Sequence, residues 1–294
     1  GPAGAKRLCT ANLAAPSITK PSDHFLPMIY EGNGGGQRVG NFIPFTDVYA
    51  VDNSCVFVSG DSDYLQKTLG AGNDELFTMS FWWKPGIIQD CTFLNAETDT
   101  DNRWRFDTAS SQLQIYAKVG GTVRCDLITD IKLKDPSMWY NVVLVWDLSE
   151  GSGDRVKIFV NGVSQSITLN TEPSSSYTYT VNTAIEHEIG SREGSSIFLD
   201  GYLSEVVFID GTAETASDFG QTDTSTNRWI PKDPSGLTFG TNGFYLEFGT
   251  AADLGDDTSG EGNDWAESTS LGTNNQTVDT PTKNYITFNP LQKD

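Results

Sequence analysis

The chain has 294 residues, with 19 lysines and arginines against 39 aspartates and glutamates, so its formal net charge is −20. Such an acidic surface repels nucleic acid and anionic membranes, and we exclude both as partners. No run of about 18 apolar residues exists, so no membrane-spanning helix is predicted, and the length suits one large β domain with appendages or two domains.

Residues 1–47 are predicted to form an irregular N-terminal arm. They carry Pro16, Pro21, Pro27 and Pro44 and a glycine-rich patch at 32–36, with little hydrophobic periodicity. The leading Gly-Pro pair resembles the remnant of a cleaved tag. Two interpretations of the arm stay open, an oligomer contact and a loosely attached linker.

From residue 48 onwards, short runs rich in valine, isoleucine and aromatic residues alternate with turn residues. This pattern predicts antiparallel strands. The predicted strands before residue 130 lie at 54–58, 64–65, 77–84, 91–94, 103–106, 112–116 and 122–127, with an acidic loop at 97–102 and a hairpin turn at Gly120-Gly121. Strand spacing of about 8–12 residues is typical of a β-sandwich.

The segment 139–210 continues this pattern. Within it, Val156, Ile158 and Val160 alternate with polar or half-buried positions, so one face of that strand is predicted to be core. Asn161-Gly162 predicts a two-residue hairpin turn, because both residues tolerate positive φ. The four cysteines, at positions 9, 55, 91 and 125, have no CxxC pair, which favours buried free thiols; a Cys91–Cys125 disulfide is the alternative.

Residues 216–294 differ in composition and are rich in serine, threonine, asparagine, aspartate and glycine. A structureless segment of this length is unusual in a compact domain. We therefore predict a loop-rich C-terminal extension that packs on the sandwich and adds one or two strands. A short helical turn is predicted at 215–219.

Four segments of the central stretch carry a family resemblance when taken in order. They are WYNVVLVWD at 139–147, VKIFVNG at 156–162, HEIG at 187–190 and DGYLSEV at 200–206. Together they resemble the laminin-G-like branch of the concanavalin A-like lectin/glucanase superfamily, over roughly residues 52–210. The resemblance implies an all-β, concanavalin A-like antiparallel β-sandwich, or jelly roll, at 48–215.

Segments outside the sandwich carry a second resemblance. Residues 26–37 (LPMIYEGNGGGQ), 229–233 (WIPKD), 259–264 (SGEGND) and 279–284 (DTPTKN) resemble segments of virion and tail-fibre proteins of marine bacteriophages. This resemblance implies a lectin-like domain exposed on a phage particle and made in the host cytoplasm. Its implied partners are a host-surface glycan, other virion proteins and further copies of the chain, three copies in the case of a tail fibre.

No catalytic residue is predicted. Glycan-cleaving enzymes of this fold place two or three carboxylates on one strand face. Glu186 and Glu188 share such a face, but Gly190 occupies the position where a third acid is needed. His187 is expected on the core side as a structural, hydrogen-bonded histidine.

Clustered acids on loops are candidates for a calcium site, because hard cations prefer several oxygen ligands. The candidate ligands are Asp61, Asp63, Asp99, Asp101, Asp256, Asp257 and Asn263. For each cluster the alternative is a solvated turn whose acid binds its own backbone.

Sugar binding requires exposed aromatic rings with planar polar neighbours. The candidates are Trp82, Asn102, Trp104, Arg105 and Tyr116. The sequence thus predicts a non-enzymatic glycan-binding domain of a virion. Two alternatives remain open, a purely structural decoration or oligomerisation module, and a glycan hydrolase or lyase on the same fold.

Overall fold

The computed structural model describes residues 49–194, 196–224 and 226–284. These residues form two antiparallel sheets with one four-residue α-helix, so the prediction of an all-β sandwich is confirmed. The predicted N-terminal arm lies outside the described residues. Within the described ranges, no helix is both long and apolar enough to cross a membrane.

The strands are numbered in chain order. The first nine are β1 Ser54–Phe57, β2 Leu65–Thr68, β3 Leu76–Pro85, β4 Thr92–Asp99, β5 Asn102–Ala109, β6 Gln112–Val119, β7 Thr122–Thr129, β8 Tyr140–Asp147 and β9 Val156–Val160. The others are β10 Val163–Ser164, β11 Ile167–Thr171, β12 Glu186–Ile189, β13 Gly201–Asp210, β14 Gly220–Thr222, β15 Trp229–Pro231, β16 Phe244–Leu246, β17 Ala266–Glu267 and β18 Gln276–Thr277. The helix α1 spans Ala216–Phe219, and 3-10 turns lie at Ser59–Asp61 and Thr273–Asn275.

The first sheet has the strand order β10-β9-β8-β3-β13-β1-β18, with β16 also paired to β13. The second sheet has the order β11-β7-β6-β5-β4-β12-β2-β17, and β14 pairs with β15 separately. The C-terminal extension therefore adds strands to both sheets: β16 and β18 join the first, and β17 joins the second.

Two predicted hairpins have the expected turns. Asn161 and Gly162 have φ of 49° and 76° between the paired residues Val160 and Val163. Gly120 and Gly121 have φ of 57° and 75° between β6 and β7. Positive φ at both central positions matches the right-handed twist of the flanking strands, which explains why these residue types terminate the strands here.

The segment 97–102 is not the acidic loop that the sequence predicts. Strand β4 continues through Asp99, and Glu97 lies opposite Arg103 on β5. Cross-strand pairing outweighs the low β propensity of acidic residues, because propensity depends strongly on the neighbouring strand. Glu97 therefore lies on the sheet rather than on a loop.

The main core lies between the sheets and is rich in aromatic rings. The Trp104 ring packs edge-on against Phe77 at 5.7 Å and against Trp146 at 5.9 Å. On β9, Val156, Ile158 and Val160 are buried while Lys157 and Phe159 are half-buried, as the alternation predicts. The thiols of Cys55, Cys91 and Cys125 are free and buried, in agreement with the sequence, and burial raises the pKa of Cys91 to about 12.

A second apolar layer covers the outer face of the first sheet. Val143 and Val207 of this sheet, together with Tyr245 on its strand β16, pack with Phe219 and Phe239 of the C-terminal extension. Both faces of this sheet are therefore buried along much of its length. The outer face of the second sheet is left as the polar surface of the sandwich, and the candidate site is built there.

Candidate functional site

The outer face of the second sheet carries a continuous row of polar side chains, one from each of five neighbouring strands. Along these strands the polar residues alternate with core residues such as Trp104, Ile115 and His187. Because successive side chains of a strand point to opposite faces, the row lies on the face away from the core. In spatial order the row is Glu188 on β12, Asn95 on β4, Arg105 on β5, Tyr116 on β6 and Asp126 on β7. We call this row and its flanking side chains the polar face.

The centre of the polar face is a guanidinium stacked on an aromatic ring. The Arg105 guanidinium carbon lies 4.8 Å from the centroid of the Tyr116 ring directly across the strand pair. Only 9% of Arg105 is exposed, whereas Tyr116 is half-buried. A cation over a ring in a partly desolvated position is attracted by the ring quadrupole, so the two side chains hold each other in place.

Two flanking rows add charged groups. In one row Glu97, Arg103 and Lys118 lie opposite each other on successive strands, and Arg103 Nη1 is 3.6 Å from Glu97 Oε1. In the other row Asp107 Oδ2 accepts a hydrogen bond from Arg192 Nη2 at 2.6 Å and lies 3.7 Å from Arg105 Nε. The Arg192 ion pair ties the loop after β12 to the polar face.

Burial raises the pKa of two carboxyl groups of the polar face, Glu97 and Glu188. Desolvation, followed by a hydrogen bond with Glu193, raises the pKa of Glu97 to about 7. Desolvation also raises the pKa of Glu188, which accepts hydrogen bonds from Ser191 and Asn95. The amide and guanidinium groups of the face donate hydrogen bonds and its carboxyl and amide oxygens accept them, so the face is chemically suited to hydroxyl-rich ligands.

The five residues predicted to bind sugar are only partly brought together. Arg105 and Tyr116 meet at the centre of the polar face. The expectation of an exposed ring at Trp104 is wrong, because Trp104 is completely buried between the sheets. Trp82 is 3% exposed on the outer face of the first sheet, where it packs with Trp139 and Tyr202, so its ring is not accessible either.

Asn102 lies at the end of the β4–β5 hairpin rather than on the polar face. Its side-chain amide donates to the Asp99 carboxylate at 3.1 Å, and its Oδ1 accepts from the Gly120 backbone at 3.0 Å. These contacts join two hairpins. In this structure Asn102 therefore stabilises the loops beside the site.

The acids Glu186 and Glu188 share a strand face as predicted, but their environments differ. Glu186 is exposed and Glu188 is 6% exposed. His187 is buried on the core side, where its Nε2 accepts from the Asn182 backbone at 2.9 Å and its Nδ1 lies 3.0 Å from the Ile185 carbonyl oxygen. Burial lowers the pKa of His187 to about 4, and the structural role predicted for it is confirmed.

Among the loop residues proposed as calcium ligands, Asp99 and Asp257 each accept several hydrogen bonds from backbone N–H groups. Asp99 Oδ1 accepts from the Asp101 and Asn102 backbones, and these bonds hold the pKa of Asp99 below its usual range. Asp257 accepts from the backbones of Tyr245, Ser259 and Asn263.

The other acids proposed as ligands make fewer such contacts. Asp63 Oδ2 accepts from the Val58 backbone and from Asn275, whereas Asp61 is exposed in a 3-10 turn and Asp256 accepts from Thr250 at 3.5 Å. Across the described ranges, no group of three or more His, Cys, Asp or Glu side chains is arranged to hold a metal ion. A calcium site stays a prediction, and melting curves in chelator and in millimolar calcium test it.

Several residues of the polar face were not predicted as site residues. The sequence pattern places Glu97 in a loop and does not single out Asn95, Asp107, Lys118 or Arg192. The alternation of Arg103, Arg105 and Asp107 with Trp104 and Phe106 was visible, and it could have identified the polar side of β5. The contribution of Arg192 was not visible, because it reaches the site from a loop 85 residues away in sequence.

A comparison with protein-family models finds one match. A laminin-G model described as "Concanavalin A-like lectin/glucanases superfamily" matches residues 59–218, which is more than half of the chain. The match includes every strand that contributes to the polar face. A search of curated proteins finds no match.

Solved structures with a related fold come from several organisms. A heptameric pentraxin from Limulus polyphemus is 18% identical, with 56% of this chain and 78% of that chain covered and a TM-score of 0.41. Mouse laminin alpha1 domains LG4-5 are 10% identical, with coverage of 69% and 49% and a TM-score of 0.41. The tailspike protein 2 of bacteriophage CBA120 is 16% identical, with coverage of 54% and 25% and a TM-score of 0.38. At these values the likenesses carry no argument about ligand or activity.

Proposed function

The chain belongs to the concanavalin A-like lectin/glucanase superfamily, and from this premise we propose that it binds glycan without cleaving it, as part of a virion surface appendage. The observation that carries the binding proposal is the Arg105–Tyr116 pair at the centre of a polar row that crosses five strands. A fixed ring surrounded by amide, guanidinium and carboxyl groups provides both a stacking surface and hydrogen-bonding partners for hydroxyl groups.

The virion assignment rests on the sequence. The segments that resemble marine phage virion proteins precede the sandwich in the sequence at 26–37 and follow it at 229–233, 259–264 and 279–284. On this proposal the host-surface glycan meets the polar face, while other virion proteins or further copies of the chain contact other surfaces. Immunogold labelling of phage particles with an antibody against this chain tests the location.

Replacing Tyr116 with alanine is expected to weaken glycan binding at least tenfold. The change removes the stacking surface and frees the Arg105 side chain, and tenfold corresponds to about 1.4 kcal/mol. A glycan array identifies the ligand, and titration calorimetry with that ligand measures the affinity. Phe159→Ala is the control, because Phe159 is a half-buried aromatic on a strand of the other sheet.

Equal weakening by both substitutions would show that the polar face is not the binding surface. If no glycan on the array binds and the chain assembles into oligomers, the alternative of a structural decoration module would be favoured instead.

One observation favours the alternative of a glycan hydrolase. Glu97, with a pKa near 7, and the buried Glu188 lie on adjacent strands of the same face. An acid that is protonated near neutral pH beside a second carboxyl group is what general acid catalysis needs. We nevertheless expect no release of reducing sugar from laminarin, agarose or alginate. Turnover that is abolished by Glu97→Gln or Glu188→Gln would contradict the non-catalytic proposal.

A further inference from the structure

We propose that the polar face selects acidic glycans, with a carboxylate or sulfate group held beside Tyr116 by Arg103, Arg105 and Lys118. This inference rests on the proposed glycan-binding function, for which it specifies the ligand class. The shared chemistry is an anionic oxygen group attached to a sugar ring.

The first observation is the placement of positive charge on an acidic chain. The whole chain has a net charge of −20, yet three basic side chains occupy neighbouring positions on β5 and β6. Arg103 lies directly opposite Lys118 across the strand pair. Like charges in directly opposed positions are destabilising in an antiparallel pair, and a bound anion between them would relieve that cost.

The second observation is that the neighbouring acids do not neutralise this cluster. In the described part of the chain Lys118 forms no ion pair. Glu97 is 3.6 Å from Arg103, but with a pKa of about 7 it is only partly ionised at neutral pH. The carboxylate of Asp107 lies closer to Arg192, at 2.6 Å, than to Arg105, at 3.7 Å.

The remaining acids of the row form hydrogen bonds with neutral side chains rather than ion pairs with the three basic groups. Asp126, opposite Tyr116, accepts from Gln114 at 3.0 Å and from Asn170 at 3.2 Å. Glu188 lies two strands from Arg105, beyond Asn95, and accepts from Ser191. Asp126 is the carboxylate directly opposite Tyr116, whereas three basic groups, Arg103, Arg105 and Lys118, occupy neighbouring positions on β5 and β6.

The geometry of Arg105 suits an anionic sugar. A guanidinium presents its donors in a planar fork that matches a carboxylate or sulfate, and stacking on Tyr116 removes part of the side chain's freedom before binding. Lys118 adds a less directional ammonium group. A sugar ring that packs beside Tyr116 would thus direct its acidic substituent towards all three basic groups.

The test compares three polysaccharides by titration calorimetry with the full chain: a polyuronate, a sulfated glucan and an uncharged glucan. We expect Lys118→Gln to weaken binding of the acidic polymers about fivefold more than it weakens binding of the uncharged glucan. Lys157→Gln is the matched control, because Lys157 is a half-buried lysine in the middle of a strand of the first sheet. Unchanged melting temperatures would show that both variants are folded.

The two acidic polymers distinguish carboxylate from sulfate as the preferred group, and binding of either one supports the inference. Tyr116-dependent binding of the uncharged glucan alone would overturn the acidic selectivity and leave the proposed function intact. Equal losses in Lys118→Gln and Lys157→Gln would overturn the site, because they would indicate diffuse charge attraction. Failure of every glycan to bind would overturn the proposed function and this inference together.

Discussion

Replacing Asp279 with alanine is expected to lower the free energy of unfolding by about 3–5 kcal/mol, the typical cost of removing one partner from a buried ion pair. Asp279 Oδ2 lies 2.6 Å from Lys84 Nζ, and the two side chains are 12% and 9% exposed. Asp279 Oδ1 also accepts from the indole nitrogen of Trp139 at 3.1 Å. Without the carboxylate, a buried ammonium loses its counter-charge and an indole N–H loses its acceptor.

The chain offers a matched control for this substitution. Lys283 Nζ lies 2.5 Å from Asp52 Oδ1, but 74% of the Asp52 side chain is exposed. An exposed ion pair contributes only about 0–1 kcal/mol, because water screens the charges and both side chains lose freedom. Asp52→Ala is therefore expected to have a small effect.

Urea denaturation of both variants, followed by tryptophan fluorescence, measures the difference. The expected result is a much lower midpoint for Asp279→Ala than for Asp52→Ala. Similar midpoints for the two variants would mean that the buried contacts of Asp279 do not hold the C-terminal segment on the sandwich.

Replacing Glu205 with glutamine is expected to remove a pH dependence of stability of about 3 kcal/mol. Glu205 is 6% exposed and lies at a bulge of β13 with φ of 52°. Its Oε2 accepts hydrogen bonds from Tyr49 at 2.9 Å and from Tyr245 at 2.5 Å. Desolvation by burial raises its pKa from 4.5 to about 7 despite these bonds, and the charges of Glu247 and Asp233 add to the shift.

The sign of the effect follows from proton binding. Between pH 4.5 and 7 the folded chain holds a proton on Glu205 that the unfolded chain releases. The contribution of Glu205 to the free energy of unfolding is therefore fully present below pH 4.5 and is lost as the pH rises through 7. A shift of this size corresponds to about 3 kcal/mol at roughly 1.4 kcal/mol per pH unit.

Chemical denaturation at several pH values between 4 and 8 measures this contribution. Glutamine stays neutral, so Glu205→Gln should gain stability over the unmodified chain as the pH rises. The exposed Glu150 provides the control Glu150→Gln, which should leave the pH profile unchanged. A Glu205→Gln profile parallel to that of the unmodified chain would show that folding does not shift the pKa of Glu205.

The sequence by itself determined the class of fold and the pairing of neighbouring strands. Period-2 alternation and the turn residues Asn161-Gly162 and Gly120-Gly121 depend only on local conformational preference, so they could be read without the structure. The requirement for an aromatic ring with a planar polar neighbour identified Tyr116 and Arg105. They lie opposite each other because they belong to consecutive strands joined by a short turn.

Only the tertiary structure decided which faces are covered. Trp82 and Trp104 both lie on strands. Trp104 is buried in the main core between the sheets, whereas Trp82 is buried in an apolar cluster on the outer face of the first sheet. Alternation shows which residues share a face, but it does not show what packs on that face. The ion pair of Lys84 with Asp279 joins residues 195 positions apart, and the Arg192 contact with Asp107 spans 85. Such long-range contacts arise because the sheets pack as a whole, and no local pattern in the chain encodes them.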